Sequence, residues 1–362
     1  MKKIIVSIVP HLEGGGIERI VTQLSSGLIK EKNAKAHIIT TKPYAGNFPY
    51  DDNIIIHNLD ITKRTTLNLR QSDKSKSKFI DAYISENISI KPDLILAHQE
   101  STHKSMRYSK FNNLFFVIHS NISESKLRNK KLIPRLFSTI KINMLYRGNK
   151  CICVSKGIKE DLKKNFLIED AMVIYNAINI EETKLAASNS EQDNNPTNNY
   201  FIHVGNFTAA KRQDRLVKAY IKSGVKKDLI MIGGGNHRLS GVDEIITSHK
   251  LSDRIKILGF QKNPYPYIRN SKGLILSSDY EGLPMVLLEA LALNVPIIST
   301  NCKSGPIEVV GKEGLHCLSD LTVDSLGEKI AELDKNPQKF KIKINEKFML
   351  SYCVEQYYKL IK

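Results

Sequence analysis

An alternation running the length of the chain is the feature that most restricts its fold. Short runs of β-branched and other apolar residues recur, each followed by a loop and then a stretch with helical spacing. Such runs suit strands buried on both faces, and interleaved helices are how parallel strands are joined, so the chain reads as α/β with helix-covered parallel sheets. In the first half the strands are expected at Ile4–Val9, His37–Thr41, Asn53–Asn58, Asp93–His98, Leu114–His119, Cys151–Ser155 and Met172–Tyr175. Helices are expected at Gly16–Lys30, Lys78–Asn87, Pro134–Tyr146 and Lys156–Asn165. After a polar, Asn-rich segment, Ala186–Asn199, the pattern restarts with strands at Phe201–Val204, Leu229–Ile232, Arg254–Leu258, Leu274–Ser277, Pro296–Ser299 and Leu315–Leu318.

The length of 362 residues exceeds the ~250–300 at which a single core stops growing, which agrees with two rounds of the pattern. Two Rossmann-like domains are expected, 1–180 and 200–344, with 181–199 as a linker or surface excursion. Ligands of such sheets bind beyond the carboxyl ends of the strands, so the chemistry is expected in the cleft between the domains. The most apolar window, Leu283–Ile298, is interrupted by Glu289 and Asn294 and is too short to span a bilayer. The N-terminal MKKIIVSIVPH, broken by Ser7 and Pro10 and lacking a small-residue cleavage site, reads as a first strand. Five cysteines without paired spacings read as reduced thiols of a cytosolic protein.

Charge is unevenly spread. The net charge of +17 is divided as +13 over residues 1–175 (29 Lys+Arg against 16 Asp+Glu) and +4 over the remainder (25 against 21). An excess of this kind attracts polyanions, whether nucleic acid, an anionic lipid surface or a phosphate-bearing substrate.

Several motifs sit where strands end. Gly14-Gly15-Gly16 follows the first strand and opens a helix, as either a tight turn or an anion cradle. In Met285–Leu293 every residue but Glu289 is apolar, so that carboxylate must find hydrogen-bond donors or lie on an exposed stripe. Glu281, Gly282, Leu283 and Pro284 precede this helix, and Ser304-Gly305-Pro306 opens a further short one. Upstream, Gly205-Asn206-Phe207 ends a strand and Lys211-Arg212 precede a helix at Asp214–Ile221. Helix N-termini, a basic pair and a glycine turn at strand ends are what a diphosphate site requires.

The span Gly205–Val310 resembles the C-terminal half of a glycosyltransferase family 4 enzyme of the two-domain GT-B fold, and Glu281 to Glu289 is similar to that family's pair of glutamates eight residues apart. Gly14–Gly16 with Ile17-Glu18-Arg19, His119-Ser120-Asn121, the segment Val154–Leu162, and Asn176 resemble its landmarks in the first half. The resemblance implies a metal-independent transferase that retains anomeric configuration, using a nucleotide-diphosphate sugar, UDP favoured, as co-substrate and no other cofactor. It places Glu289 on the ribose hydroxyls, Glu281 on the donor sugar, Gly282, Leu283 and Pro284 at the diphosphate, Lys211 on the phosphates, and Gly259 and Phe260 against the base. Gly15 and Gly16 would approach the donor from the first domain. His119 would stand near the sugar and acceptor, as a base or an orienting group, or else be a structural hydrogen-bonder. Where many members carry Arg this chain has Asn206, which brings no charge, and Arg212 is positioned to compensate. The acceptor implied is a glycan or a polyprenyl-diphosphate-linked glycan of cell-surface polysaccharide synthesis, such as O-antigen or capsule.

One stretch, Asn129–Arg147, combines apolar positions at 132, 133, 136, 137, 140, 144 and 145 with basic residues. It reads either as a helix on an anionic bilayer, supported by Lys74, Lys76, Lys78, Lys63 and Arg64, or as a packed helix with a solvated basic face. The aromatic-rich 345–362 is expected to form a helix that crosses back onto the first domain. A nucleic-acid-binding protein and a sugar-nucleotide binder without transfer are the alternatives, and no nucleic-acid-binding motif supports the first.

Overall fold

The computed structural model describes residues 1–43, 50–61, 72–188, 199–236 and 241–361. The chain forms two compact units, Met1–Ala177 with Lys347–Lys362, and Ile178–Glu346. In the first unit seven strands, β1 (Ile4–Val9), β2 (Lys35–Thr40), β3 (Ile55–Asn58), β4 (Leu94–His98), β5 (Leu114–Ile118), β6 (Cys151–Cys153) and β7 (Met172–Val173), form one sheet in the order β3-β2-β1-β4-β5-β6-β7. Every pairing is parallel. In the second, β8 (Tyr200–Val204), β9 (Asp228–Ile232), β10 (Ile255–Gly259), β11 (Gly273–Leu276), β12 (Ile297–Thr300) and β13 (Leu318–Ser319) are ordered β10-β9-β8-β11-β12-β13, again all parallel.

Both sheets therefore have the doubly wound order, with the direction of winding reversing beside the first strand of each. The central strands are covered on both faces: all five residues of β4 and all four of β11 are buried. Helix termini follow local chemistry. Ser155 Oγ accepts from the Ile158 amide at the start of helix Lys156–Phe166, which ends at Leu167 in the left-handed region. Thr322 caps helix Val323–Lys335 in the same way.

Three expectations are revised. Leu315–Leu318 is not one strand: Leu315–Cys317 is a 3₁₀ turn, closed by the Cys317 amide on the Gly314 carbonyl, and only Leu318–Ser319 pairs with β12. The span 181–199 begins inside a helix, Ile180–Ser188, in which the Glu182 amide donates to Asn179 Oδ1 and Glu181 and Glu182 complement the helix dipole; residues 189–198 lie outside the described residues. Helices Glu100–Met106 and Ile122–Leu127 had no expected counterpart. Lys63 and Arg64 lie outside the described residues. Among the described residues no helix is long and apolar enough to cross a membrane.

The terminal helix Leu350–Tyr358 returns to pack on helix Gly16–Lys32 in the first unit. Gly27 permits the approach, since a β-carbon there would fall 2.7 Å from Val354 Cγ2 and 3.3 Å from Leu350 Cγ. Lys32 Nζ donates to Glu355 Oε2 at 2.5 Å beside this contact. Gly27→Leu is expected to overpack it, costing about 1–3 kcal/mol and exposing the C-terminal segment to protease. Unchanged melting and unchanged protease resistance would show that the contact does not hold the helix.

Candidate active site

The second unit gathers most of the expected site at the carboxyl ends of β8 and β11, where its strand order reverses. Hydrogen bonds to backbone carbonyls stitch the two loops together. The Asp279 amide donates to the Ala210 carbonyl at 2.8 Å, and Ser277 Oγ donates to the Lys211 carbonyl at 2.8 Å. From β12, Thr300 Oγ1 donates to the Ser278 carbonyl at 2.6 Å, and the Glu281 amide donates to the Lys303 carbonyl at 3.1 Å.

Beneath these loops lies a buried ionic network. Arg215 Nη2 donates to Asp279 Oδ1 at 2.5 Å and Arg215 Nη1 to the Ser277 carbonyl at 2.9 Å, with both charged side chains about 95% shielded. Arg212, in the left-handed region at φ 49°, donates to Asp214 through Nε at 2.8 Å and Nη2 at 2.9 Å, and to Asp279 through Nη1 at 3.2 Å. Its guanidinium is thus committed to holding loops together. Burial alone would raise the Asp279 carboxyl, but Arg215 and then Arg212 hold it below its usual range.

Lys211, next in the chain, points the other way: its Nζ donates to Glu281 Oε1 at 2.6 Å, and Ser278 Oγ donates to the same oxygen at 2.6 Å. Gly282, Leu283 and Pro284 lead into helix Met285–Ala292 and are closely overlaid by Gly305, at φ 98°. A β-carbon on Gly305 would lie 2.5 Å from Pro284 Cδ and 3.0 Å from the Gly282 carbonyl, so only glycine allows that approach. Inside the helix Glu289 is buried at 8% exposure, and Tyr265 Oη donates to its Oε1 at 3.2 Å. The donor demanded by a carboxylate in an apolar helix thus comes from helix Tyr265–Asn270, just beyond β10. Gly259, at φ 68°, ends β10, and Phe260 after it is exposed.

Asn206, in the loop after β8, accepts through Oδ1 from the Gly234 amide in the loop after β9 at 3.0 Å. Gly233 is pressed against the same turn, where a β-carbon would meet the Gly205 carbonyl oxygen at 2.1 Å. Gln213 Nε2 donates to the Asn206 and Gly205 carbonyls at 3.1 and 3.3 Å. Buried His203, pushed down to about 4 chiefly by burial, sits beside it with Nδ1 on the Ile275 carbonyl at 2.9 Å.

The first unit holds the other expected residues, Gly15, Gly16 and His119, at the ends of its own strands. Glu18, in the first turn of helix Gly16–Lys32, is buried against the glycine loop and accepts from Gln99 Nε2 at 3.4 Å. A β-carbon on Gly15 would lie 2.3 Å from Glu18 Oε2. His119, just past β5, pairs with His98 at the end of β4: its Nε2 lies 2.9 Å from His98 Nδ1, and the rings stack 5.2 Å apart. Burial, reinforced by His103, pushes His119 down to about 3, and burial also pushes His98 well down, so both rings are neutral at neutral pH. Next to them, Asp161 Oδ2 accepts from the amides of Ile122 and Ser123 at 2.9 and 3.0 Å, fixing the helix that follows His119.

Sequence reading gave no role to Tyr265, Arg215 or His98, nor to Ser278 and Asp279, although these two open the segment that leads to Glu281. The contacts of Tyr265, Asp279, Arg215 and His98 join residues 21 to 67 positions apart, beyond any helical or strand period. Only Ser278, three residues before Glu281, offered a local signal.

Two doubly wound parallel sheets, one bearing paired carboxylates, a lysine and a helix start at its switch point, define the GT-B class. Residues 14–182 match the family model Glycosyltransferase Family 4 and residues 187–347 the model Glycosyl transferases group 1, so the chain carries the two glycosyltransferase domains that these models describe. A solved glycosyltransferase from Rickettsia africae superposes with a TM-score of 0.73 at 18% identity over 100% of this chain and 99% of that one. An Anabaena protein solved with UDP and glucose gives 0.70 at 16% identity, over 99% and 95%. At these identities the likeness is one of fold. The Campylobacter jejuni enzyme named N-acetylgalactosamine-N,N'-diacetylbacillosaminyl-diphospho-undecaprenol 4-alpha-N-acetylgalactosaminyltransferase is 28% identical over 56% of this chain and 55% of its own length. The chain spans about half the length of several curated relatives it matches, at 59%, 55% and 45%.

Asp279→Asn is expected to leave Arg215 buried without its counter-charge and to cost about 3 kcal/mol at neutral pH. Because the Asp279 carboxyl is held down in the folded state, its contribution is present above the unfolded value near ~3.9 and is lost as pH falls through the folded one. Denaturant melts from pH 7 to pH 2 should therefore show wild type and variant converging in acid. Parallel curves would remove the carboxylate from the stability of this loop.

Proposed function

We propose that the protein transfers a hexose or N-acetylhexosamine from a nucleoside-diphosphate sugar, with UDP the favoured nucleotide, to a glycan or a polyprenyl-diphosphate-linked glycan in cell-surface polysaccharide synthesis. The observation that carries this reading is the pair Glu281 and Glu289, both buried, one ion-paired to Lys211 and the other held by Tyr265, on either side of a helix start. The two glycosyltransferase domains and the printed activity of the Campylobacter relative support it.

On this reading the ribose hydroxyls donate to Glu289, whose orientation Tyr265 sets. The diphosphate sits at the amides that open helix Met285–Ala292, where the helix dipole favours negative charge. Lys211 turns to the phosphates and stabilises the charge that grows on the leaving oxygen, the role a metal ion fills in other transferases, so no metal is required. Glu281, freed from Lys211, accepts from hydroxyls of the donor sugar. The bond from the anomeric carbon to the phosphate oxygen breaks while the acceptor oxygen attacks from the same face. The acceptor proton passes to the departing phosphate, and configuration is retained. His119, neutral, orients the groups around the sugar. A lipid-linked acceptor resides in a bilayer, so the protein acts from the cytoplasm as a peripheral membrane protein.

Thermal-shift titration with UDP, GDP, ADP and their sugars tests the donor site, a single nucleotide giving a saturable rise in melting temperature. Glu289→Ala should weaken that nucleotide roughly 10- to 100-fold, the worth of hydrogen bonds to a charged group. Glu281→Gln should keep nucleotide binding and lower kcat about a hundredfold. Turnover that collapses in EDTA, or an inverted anomeric signal in the product, would overturn the metal-free retaining mechanism. No nucleotide response at all would overturn the function.

A further inference from the structure

Helix Leu132–Tyr146 has the composition of a core helix and the exposure of a surface one. Of its fifteen residues only Leu145 and Tyr146 are buried. Leu132, Ile133, Leu136, Phe137, Ile140 and Met144 are between 46% and 83% exposed. At 3.6 residues per turn these six side chains fall within an arc of ~140°, on the side facing away from Leu145 and Tyr146. Arg135 and Lys141, both exposed, border the arc on its two sides, with Lys130 and Lys131 before the helix and Arg147 after it. From Ser125 through Lys159 the chain carries ten Lys and Arg and no Asp or Glu.

A contiguous apolar face of this size on a soluble protein calls for an occupant. The helix is too short to span a bilayer, for which ~20 apolar residues are needed, and the charged residues at its border, Arg135 on one side and Lys141 on the other, are both cationic. An apolar stripe with a basic side chain on each side and further lysines and an arginine at its ends matches an interface with acyl chains at the centre and anionic headgroups at the rim. We propose that this helix lies in the headgroup region of an anionic phospholipid bilayer, inserting the Leu132 to Met144 face and setting Arg135, Lys141 and the flanking lysines against lipid phosphates. It rests on the transferase reading only for what the bilayer supplies, the lipid-linked acceptor.

Flotation with vesicles of phosphatidylcholine containing about one-third phosphatidylglycerol, against phosphatidylcholine alone, tests it. Wild type should float with the anionic vesicles, less so as salt rises, and poorly with the neutral ones. Phe137→Ser and Ile140→Ser should each lower partitioning about tenfold. Arg135→Gln and Lys141→Gln should each lower it about fivefold on anionic vesicles only. All four positions are exposed, so melting temperature should stay unchanged. Failure of anionic vesicles to retain wild type, or retention untouched by all four substitutions, would overturn the proposal. So would a dimer in solution that Phe137→Ser dissolves while no vesicle binds, which would make the face a contact between copies of this chain. UDP stabilisation measured on the same samples keeps the two readings apart: a protein that answers UDP but not vesicles loses only the docking, and the converse loses only the donor site.

Discussion

The second unit's site depends on the buried contact of Arg215 with Asp279. A doubly wound sheet brings the ends of β8 and β11 side by side, but it leaves the loops leaving those strands free to diverge. Arg215, rooted in helix Gln213–Ser223, spans that gap to the Ser277 carbonyl and the Asp279 carboxylate, and Arg212 adds a second strut from Asp214. An ion pair this shielded is costly to desolvate, so its value lies less in net stability than in geometry. With the two loops locked, Lys211 and Glu281 meet at hydrogen-bonding distance.

That meeting solves a problem common to polar sites built in buried surroundings. A lysine and a carboxylate withdrawn from water must both find partners. Here they satisfy one another, with Ser278 as a third partner on the same oxygen. Glu289 is kept by Tyr265 in a similar way, through one carboxylate oxygen. In the first unit, His98 and His119 share one short contact as neutral rings, which burial enforces by penalising either charge. Lys211, Glu281, Glu289 and the His98–His119 pair thus each have a protein partner, while the outer nitrogens of the two rings, His98 Nε2 and His119 Nδ1, have none among the described residues.

Much of this was legible in the sequence, and the exceptions have physical causes. The strands showed through because residues buried on both faces must be apolar without interruption, as in Leu94 to Ala97 and Leu274 to Leu276. Glu289 stood out as a lone charge in an apolar helix, and its need for a donor could be foreseen although Tyr265 could not. Helices Glu100–Met106 and Ile122–Leu127 escaped notice because one to two turns are too few to show a period, and the second is fixed from outside by Asp161. Arg212 was legible as a basic residue beside Lys211 but not as a strut, because Asp279 lies 67 positions away.

Helix Leu132–Tyr146 marks the limit of periodicity as evidence. An apolar stripe of this width is equally good for burial in a core and for burial in lipid, since the hydrophobic effect does not distinguish the apolar phase that receives the side chain. Charge separates the two cases only partly, because a core helix also turns a charged face to water. What decides is the side from which the chain itself packs. Leu145 and Tyr146, at the end of the helix and on its opposite side, are the residues taken into the first unit, and the apolar stripe is left outward. A sequence pattern can say that a face must be buried; only the fold can say that the described residues do not bury it.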